Sequence, residues 1–510
     1  MFPMSQCSSD FAVLLWFTVL FICSTGQLCS VYSFLLPSSS NTHETKPSLL
    51  TALKGSSSKD INFSDRRNFL LAGGASVALV GIMPPHSSAV DLTKSGSATN
   101  TTSSRDMSWP LGKVAFSLLP LSGGTRRATV EETIVKDQIW TYDQIQGIIN
   151  VNVPVRQTVV RLSESSGGGL FVLNPVAPTN QLLKMMRNLE RQYGPVRHIV
   201  LGTVALEHKA TFGPFAQNFP NAQVWIQPGQ WSFPLNLPLA PALGVLQRGS
   251  RLLSQQDPPE WVADLDYEIL EPLRFKSVGA FSETAFFHKP SQTLLVTDAV
   301  VSVTADPPPI IQEDPSALLF HARDSIADVV QDTPDIRRKG WRRMVQFGLF
   351  FFPSQIDVVP FDKAIAESFK YGTSLYPWTW HNKDADQRNF DVLSNNGKLF
   401  CPPILTKLIF DREPQRVLQW VDAITKRFDF IRIVPGHLAN NIASNPKEFK
   451  EAFRVLEGDN QRPQPQRPLA EDLALLQKAS DLLTRLNIVD ASQVCDGEPA
   501  RTVGRFRSKL

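Results

Sequence analysis

QTVVRLSESSGGGLFVLNPVAPTNQLLKMMRNLERQYGPVRHIVLGTVALEHKA, residues 157–210, is the stretch that decides the fold. Gln157 to Leu162 carries the β-branched run of a strand, and Leu170 to Leu173 is the next apolar run. Ser and Gly between them, ending in Gly167-Gly168-Gly169, make a turn; no Gly-x-Gly-x-x-Gly spacing marks a nucleotide loop. Thr179 can cap a helix whose Leu182, Leu183, Met186, Leu189 and Tyr193 repeat with helical period. Gly194-Pro195 stops it, and His198 to Leu201 is a short buried strand. Phe212 to Phe219 reads as helix and Ala222 to Ile226 as another strand. Strand, helix, strand, helix, strand is the signature of an α/β protein with parallel strands and helices on the sheet faces.

Outward from this segment the rhythm loosens. Residues 228–262 read as long loops; Phe275 to Val278, Thr284 to His288 and Thr293 to Thr297 read as sheet strands. A helix over Arg337 to Phe347 ends in Phe350-Phe351-Phe352-Pro353. The helix Glu413 to Arg427 and the strand Phe430 to Val434 close this part, and a Gln/Pro/Arg linker leads to an amphipathic helix over Leu469 to Leu486. At the other end the chain begins with sorting signals. Residues 1–34 hold a short apolar h-region, 35–65 are Ser/Thr-rich, and 66–89 open with Arg66-Arg67 and end in Ser87-Ser88-Ala89. That series reads as a signal peptide, a plastid transit region starting at Phe34 and a twin-arginine thylakoid signal. It predicts a complex plastid as destination, with the thylakoid lumen as the final compartment. Residues 90–134 read as linker and N-terminal extension, and 446–510 as a C-terminal linker and helix.

Composition bounds the chemistry. The 510 residues are 42% hydrophobic and 19% charged with a net charge of +3, so no basic field points to nucleic acid. Five Cys are too few for a disulfide scaffold. The informative pattern is that polar residues able to bind a metal follow apolar strands. His198 to Leu201 runs toward Glu207 and His208; Leu294 to Thr297 runs into Asp298; Phe430 to Val434 runs into Pro435-Gly436-His437. Ligands of open α/β sheets bind at the carboxyl ends of strands, where loops converge. Two carboxylates and two imidazoles brought there from three strand ends form an N/O site for one zinc, iron or manganese ion. Glu207 and Asp298 are the candidates for catalysis as well as ligation. Taken singly each has a plainer explanation. Glu207-His208 can be a surface pair, since neighbours on a regular helix do not face one point, Asp298 can cap a helix and His437 can be a turn residue.

Together these residues resemble the metallo-β-lactamase-like hydrolases. The family's His-x-His-x-Asp-His falls on Thr203-Val204-Ala205-Leu206-Glu207-His208, with Thr and Ala in place of the first two His and Glu in place of Asp. Its bridging aspartate falls on Asp298 and the His of its Pro-Gly-His turn on His437. A further family histidine belongs near Gly279 to Glu283, where this chain has none. Together with Phe281 to His288, the pattern looks closest to a branch of unassigned activity in plants, algae and cyanobacteria. The resemblance covers about residues 135–445, with an insertion at about 305–400. It implies an α/β (α+β) chain folded as a four-layer αβ/βα sandwich. It also implies that the ligands of one metal are lost and that Glu207, His208, Asp298 and His437 remain for the other.

Two functions compete at this stage. One is a hydrolase with a reduced, mononuclear site. The other is a non-catalytic descendant whose cleft binds a small molecule or a partner protein, or a thylakoid assembly factor. The basic run Arg337, Arg338, Lys339, Arg342 and Arg343 beside Trp341 suits peripheral contact with the thylakoid membrane or an acidic partner, and equally an ordinary core helix. Weaker candidates are Glu283 and His288, which alternation puts on opposite strand faces so that at most one points inward. His321-Ala322-Arg323-Asp324 could bind an acidic substrate or form a surface hydrogen-bond cluster, and Tyr376 to His381 could line a pocket or simply pack a loop.

Overall fold

The computed structural model describes residues 104–106, 127–148, 150–230, 249–276, 279–350, 353–381, 385–458 and 470–494. The sorting signals and Cys495 lie outside them. The chain divides into two units; Gln27–Asn100 is one, and every described residue belongs to the other.

Seven strands form the first sheet in chain order: β1 (Val130–Val135), β2 (Ile139–Ile148), β3 (Val151–Arg161), β4 (Leu170–Leu173), β5 (Val196–Leu201), β6 (Gln223–Ile226) and β7 (Arg251–Leu252). β1 to β4 pair antiparallel; β4 to β7 pair parallel. The change of direction follows the connections. Gly167, Gly168 and Gly169 all take positive φ in the tight turn before β4, whereas a helix, Asn180–Tyr193, carries the chain from β4 back to start β5. Thr179 caps that helix, its hydroxyl accepting from the Leu182 amide at 3.2 Å.

The second sheet has the order β14-β13-β10-β9-β8. Its strands are β8 (Leu265–Phe275), β9 (Gly279–His288), β10 (Thr293–Leu295), β13 (Arg432–Val434) and β14 (Ile442–Ala443). β10 and β13 run parallel although about 140 residues separate them; the other neighbours are antiparallel. The intervening chain holds a third small sheet, β11 (Ile356–Val358) with β12 (Trp378–Trp380), and several helices.

Alternation along the strands sorts the core into three groups. Phe171, Leu173, Val200 and Trp225 of the first sheet share one cluster with Tyr267, Phe286, Leu295 and Val434 of the second. The opposite parity, Leu170, Val172, Ile199 and Leu201, packs on Leu182, Met186 and Leu189 of helix Asn180–Tyr193 and on Phe212 and Phe215. On the second sheet Ala285, Phe287, Leu294 and Ile433 share a third cluster with Val417, Trp420, Val421 and Ile424 of helix Pro414–Arg427. Burying a side chain of this size contributes roughly 1.5–3 kcal/mol, so a one-residue slip in any strand would exchange whole faces at high cost.

Several sequence expectations change. β1 begins at Val130, inside the segment read as linker, and β3 extends back to Val151. The helix expected over Phe212 to Phe219 is Leu206–Ala216, so Glu207 and His208 lie in its first turn. The C-terminal region is not merely linker and helix: Phe449 of helix Pro446–Ala452 and Leu476 of helix Ala470–Arg485 join the largest core cluster. Helix Pro334–Phe350 holds the basic run, whose cations meet carboxylates: Arg337 pairs with Asp332, Arg338 with Asp306 and Asp335, Lys339 with Asp324, Arg342 with Asp386, and Arg343 with Asp324 and Asp386. Among the described residues, no helix is long and apolar enough to cross a membrane.

Candidate metal centre

Three strand ends and one helix start meet. Past β5 the chain passes Thr203 and enters helix Leu206–Ala216, which presents Glu207 and His208. Past β10 comes Asp298, and past β13 the Pro435-Gly436-His437 turn. Gly436 allows a close approach there: a Cβ would stand 3.0 Å from the Thr297 carbonyl oxygen, tighter than an ordinary contact, so the His437 turn lies directly against the Asp298 loop.

One ligand atom each from His208, Asp298 and His437 falls within 4.8 Å of the other two. His437 Nε2 is 2.8 Å from Asp298 Oδ1 and 3.2 Å from His208 Nε2. Glu207 Oε1 stands farther off, 4.0 Å from His437 Nε2, and Glu207 Oε2 is buried without a hydrogen-bond partner. Glu207 therefore borders the triad that the other three form. Adjacent helix residues point about 100° apart; the longer Glu arm lets both reach the same histidine.

Protons on this cluster are constrained. His437 Nδ1 faces the Pro154 carbonyl at 2.8 Å, and a carbonyl only accepts, so Nδ1 carries a hydrogen. Two occupants then suit Nε2, which faces an imidazole nitrogen and a carboxylate: a second proton or a cation. For a tetrahedral ion with bonds of 2.0–2.2 Å, ligand atoms lie about 3.3–3.6 Å apart, wider than the 2.8 and 3.2 Å contacts of His437 Nε2 and inside the 4.8 Å that bounds the whole set. Two neutral imidazoles, a carboxylate and a backbone carbonyl orienting one ring are a fitting set for a divalent metal. The triad is thus compatible with a metal ion.

Charge follows geometry. Burial and the His437 charge push His208 down to about 3, so its ring is neutral. Burial opposes charge on His437 too, but the hydrogen bond and charge of Asp298, with Glu207 nearby, override it and hold the group up at about 9. Burial works against the Asp298 carboxylate, yet His437, His208 and Thr203 keep it below its ordinary range. Burial and the Asp298 charge raise Glu207 to about 7.

The positions where the resembled pattern has histidines do other work. Thr203 Oγ1 donates to Asp298 Oδ2 at 3.1 Å and accepts from the Ala205 amide at the same distance. Glu283 faces inward from β9, and its oxygens accept three amides of the Asp298 loop: Thr297 at 2.5 Å, Asp298 at 2.9 Å and Ala299 at 2.9 Å. His288 instead bonds Ser291 through Nδ1. Asn174, at the end of β4 and unremarked in the sequence, donates to Thr297 Oγ1 and accepts from the Gly202 amide, joining three loops.

The two remaining candidates are packing. His321 is fully buried with Nε2 on the Asn150 carbonyl at 3.2 Å, so it presents nothing to a substrate. Tyr376, Trp378 and Trp380 are buried against Phe320 and Phe347. The Asp298 carboxylate caps no helix, because the chain beyond it forms none before Pro309.

A family model described as Domain of unknown function (DUF4336) matches residues 136–455. Among solved structures, a metallo-beta-lactamase from Pontibacter korlensis is similar at 10% identity with a TM-score of 0.22, over 52% of this chain and 98% of that one. No curated protein matches the chain.

Proposed function

The chain belongs to the DUF4336 family, and on that premise we propose that it is a metal-dependent hydrolase with one ion held by His208, Asp298 and His437. The fold we assign to it is the four-layer αβ/βα sandwich of the metallo-β-lactamase-like hydrolases. Supporting this is the division of the core into one cluster shared by the two sheets and one on the far side of each.

The observation that carries the reading is the approach of three ligand atoms to within 4.8 Å from residues 208, 298 and 437. Zinc suits two imidazoles and a carboxylate better than manganese, which prefers all-oxygen sites. When bound, the ion would polarise a carbonyl or phosphoryl oxygen and acidify a water. The chain's own contribution is proton handling. Glu207, raised to about 7, takes or releases a proton at its unpartnered Oε2 near neutral pH, the property of a general base. His437 keeps its Nδ1 proton on Pro154, so its Nε2 stays aimed at the cluster. Thr203 fixes Asp298 Oδ2 and leaves Oδ1 toward the histidines.

The test is elemental analysis of the purified chain after exposure to micromolar zinc, iron and manganese. One ion per chain, lost in His208→Ala, is expected; no ion in the wild type overturns the proposal. A non-catalytic binding protein is the second reading, favoured by the 2.8 Å contact of His437 with Asp298, which one proton alone completes. For the address, the plastid and its thylakoid lumen are what Arg66-Arg67 and Ser87-Ser88-Ala89 support. Lysine at both arginines is expected to block the last transfer.

A further inference from the structure

His437 sits in a turn that no regular element defines. Leu438 within it has φ 56°, a left-handed conformation that a side chain with a Cβ adopts only when its surroundings impose it. What surrounds this turn is β3, in two places. Pro154 offers its carbonyl to His437 Nδ1. Two residues on, on the same face, Arg156 offers its guanidinium to the backbone of the turn: Nη1 donates to the carbonyls of Pro435 at 2.7 Å and Ala439 at 3.2 Å, and Nη2 to that of Leu438 at 3.2 Å. The side chain of Arg156 is 1% exposed, so these bonds form away from water.

A buried guanidinium needs an anion, and the sheet supplies one by register. Asp143 on β2 is the direct cross-strand partner of Arg156, and both its oxygens accept from the fork, at 2.8 Å from Nε and 2.7 Å from Nη2. Asp143 thus sets the plane and rotamer of the guanidinium, and the outward N–H groups reach carbonyls on both sides of His437. An ammonium is a point with three donors and cannot span a carboxylate and three carbonyls.

We propose that Arg156, oriented by Asp143, is the positioning residue of the site: by gripping the carbonyls of residues 435, 438 and 439 it imposes the turn that seats His437 Nδ1 on Pro154 and directs Nε2 toward His208 and Asp298. It touches no ligand atom itself. Glu283 is its counterpart on the other loop, a carboxyl holding the amides around Asp298 where Arg156 holds the carbonyls around His437. The consequence for metal binding rests on the function proposed above; the placement of His437 does not.

Removing Arg156 alone would strand a buried Asp143, so two variants are compared. Arg156→Lys keeps the charge and loses the fork. Asp143→Leu with Arg156→Met replaces the pair by apolar side chains and leaves no uncompensated charge. Arg343→Lys, at a buried arginine of the insertion, controls for general loosening. Zinc affinity, measured on the full chain by competition with a chromophoric chelator, is expected to fall about 10- to 100-fold in both Arg156 variants. It should stay within twofold in Arg343→Lys even where the melting temperature drops. Metal-free crystal structures of the wild type and both Arg156 variants supply the second readout. In the variants His437 Nδ1 is expected to leave the Pro154 carbonyl and Leu438 to abandon its positive φ. The proposal falls if His437 stays on Pro154 in both variants, if Arg343→Lys weakens zinc binding as much as they do, or if neither variant folds. A wild type that binds no zinc sinks the hydrolase reading, while the metal-free structures still decide the role of Arg156.

Discussion

Two buried clusters of histidine and carboxylate sit in this chain, one at the strand ends and one in the insertion. In the insertion, Arg343 donates to Asp324 at 2.7 Å, to Asp386 at 3.2 Å and to the Arg323 carbonyl at 2.9 Å, with its guanidinium 4.1 Å from the Trp380 ring centre. His321 there gives Nε2 to a backbone carbonyl. There a cation that cannot lose its proton meets the anions, although Asp386 Oδ1 and His321 Nδ1 are buried without a hydrogen-bond partner. At the strand ends, by contrast, two imidazoles and Asp298 converge on His437 Nε2, where one proton or one cation completes the set, and a buried oxygen of Glu207 has no partner. The two differ in what balances the carboxylates, a guanidinium in the insertion and imidazoles at the strand ends. A guanidinium fixed between carboxylates has no proton to give up, while a cluster held by one exchangeable proton leaves a place that a cation can take.

That contrast can be broken by substitution. His208→Ala should abolish binding of a divalent ion, by a thousandfold or about 4 kcal/mol, while moving the melting temperature of the metal-free protein by only a few degrees; isothermal titration and thermal melts check both halves. Arg343→Ala should do the reverse. It leaves Asp386 with only the looser 3.9 Å pairing to Arg342 and should cost about 3 kcal/mol in denaturant unfolding, with metal affinity unchanged. If Arg343→Ala weakens metal binding or His208→Ala unfolds the chain, the two clusters are not separable.

The pH dependence of the metal-free protein sharpens the same comparison. His321 is pushed down to about 3, by burial first, from an ordinary value near 6.5. Below 6.5 the unfolded chain takes its proton and the folded one does not, so stability falls as pH drops from 6.5 toward 3, by up to about 1.4 kcal/mol per pH unit for one such group. His437, held up at about 9, has the opposite sign: its contribution is complete below 6.5 and lost as pH rises through 9. Unfolding free energies between pH 5 and 9 should show a shallower acid limb in His321→Gln and a flatter alkaline limb in His437→Gln. The smallest effect is at Thr203. Thr203→Val removes one hydrogen bond to a carboxylate, worth about 1.5 kcal/mol, and should weaken metal binding roughly tenfold without altering either limb beyond error.

Much of the site was legible because each of its loops follows an apolar strand that stands out in the sequence. His208, Asp298 and His437 needed only the rule that strand ends converge. The start of helix Leu206–Ala216 was not legible: Ala205 at its N-cap makes no side-chain bond, and Pro214 interrupts the pattern downstream, so neither end carries its usual signal. Strand alternation showed that Glu283 and His288 part ways, but not that Glu283 would turn to backbone amides. Asn174 and Arg156 were invisible. Their partners lie 123 and 279 residues away, and no local periodicity encodes a contact of that span. For His321 to Asp324 and Tyr376 to His381 the sequence left two readings open, because aromatic and polar residues together look the same whether they line a cleft or fill a core.

The long reach of Arg156 also sets an order in time. Its bond to Asp143 spans 13 residues and closes within a single hairpin, whereas its bonds to the His437 turn span 279 to 283. A hairpin of that span closes on the order of microseconds, well before a contact across 279 residues is made. For that interval the guanidinium presents unanswered N–H groups midway along a finished strand pair. Loop closure over such a distance is among the slow events of folding. The centre is therefore one of the last parts of the molecule to be completed, and a chain interrupted before residue 439 carries the first sheet's strands without it.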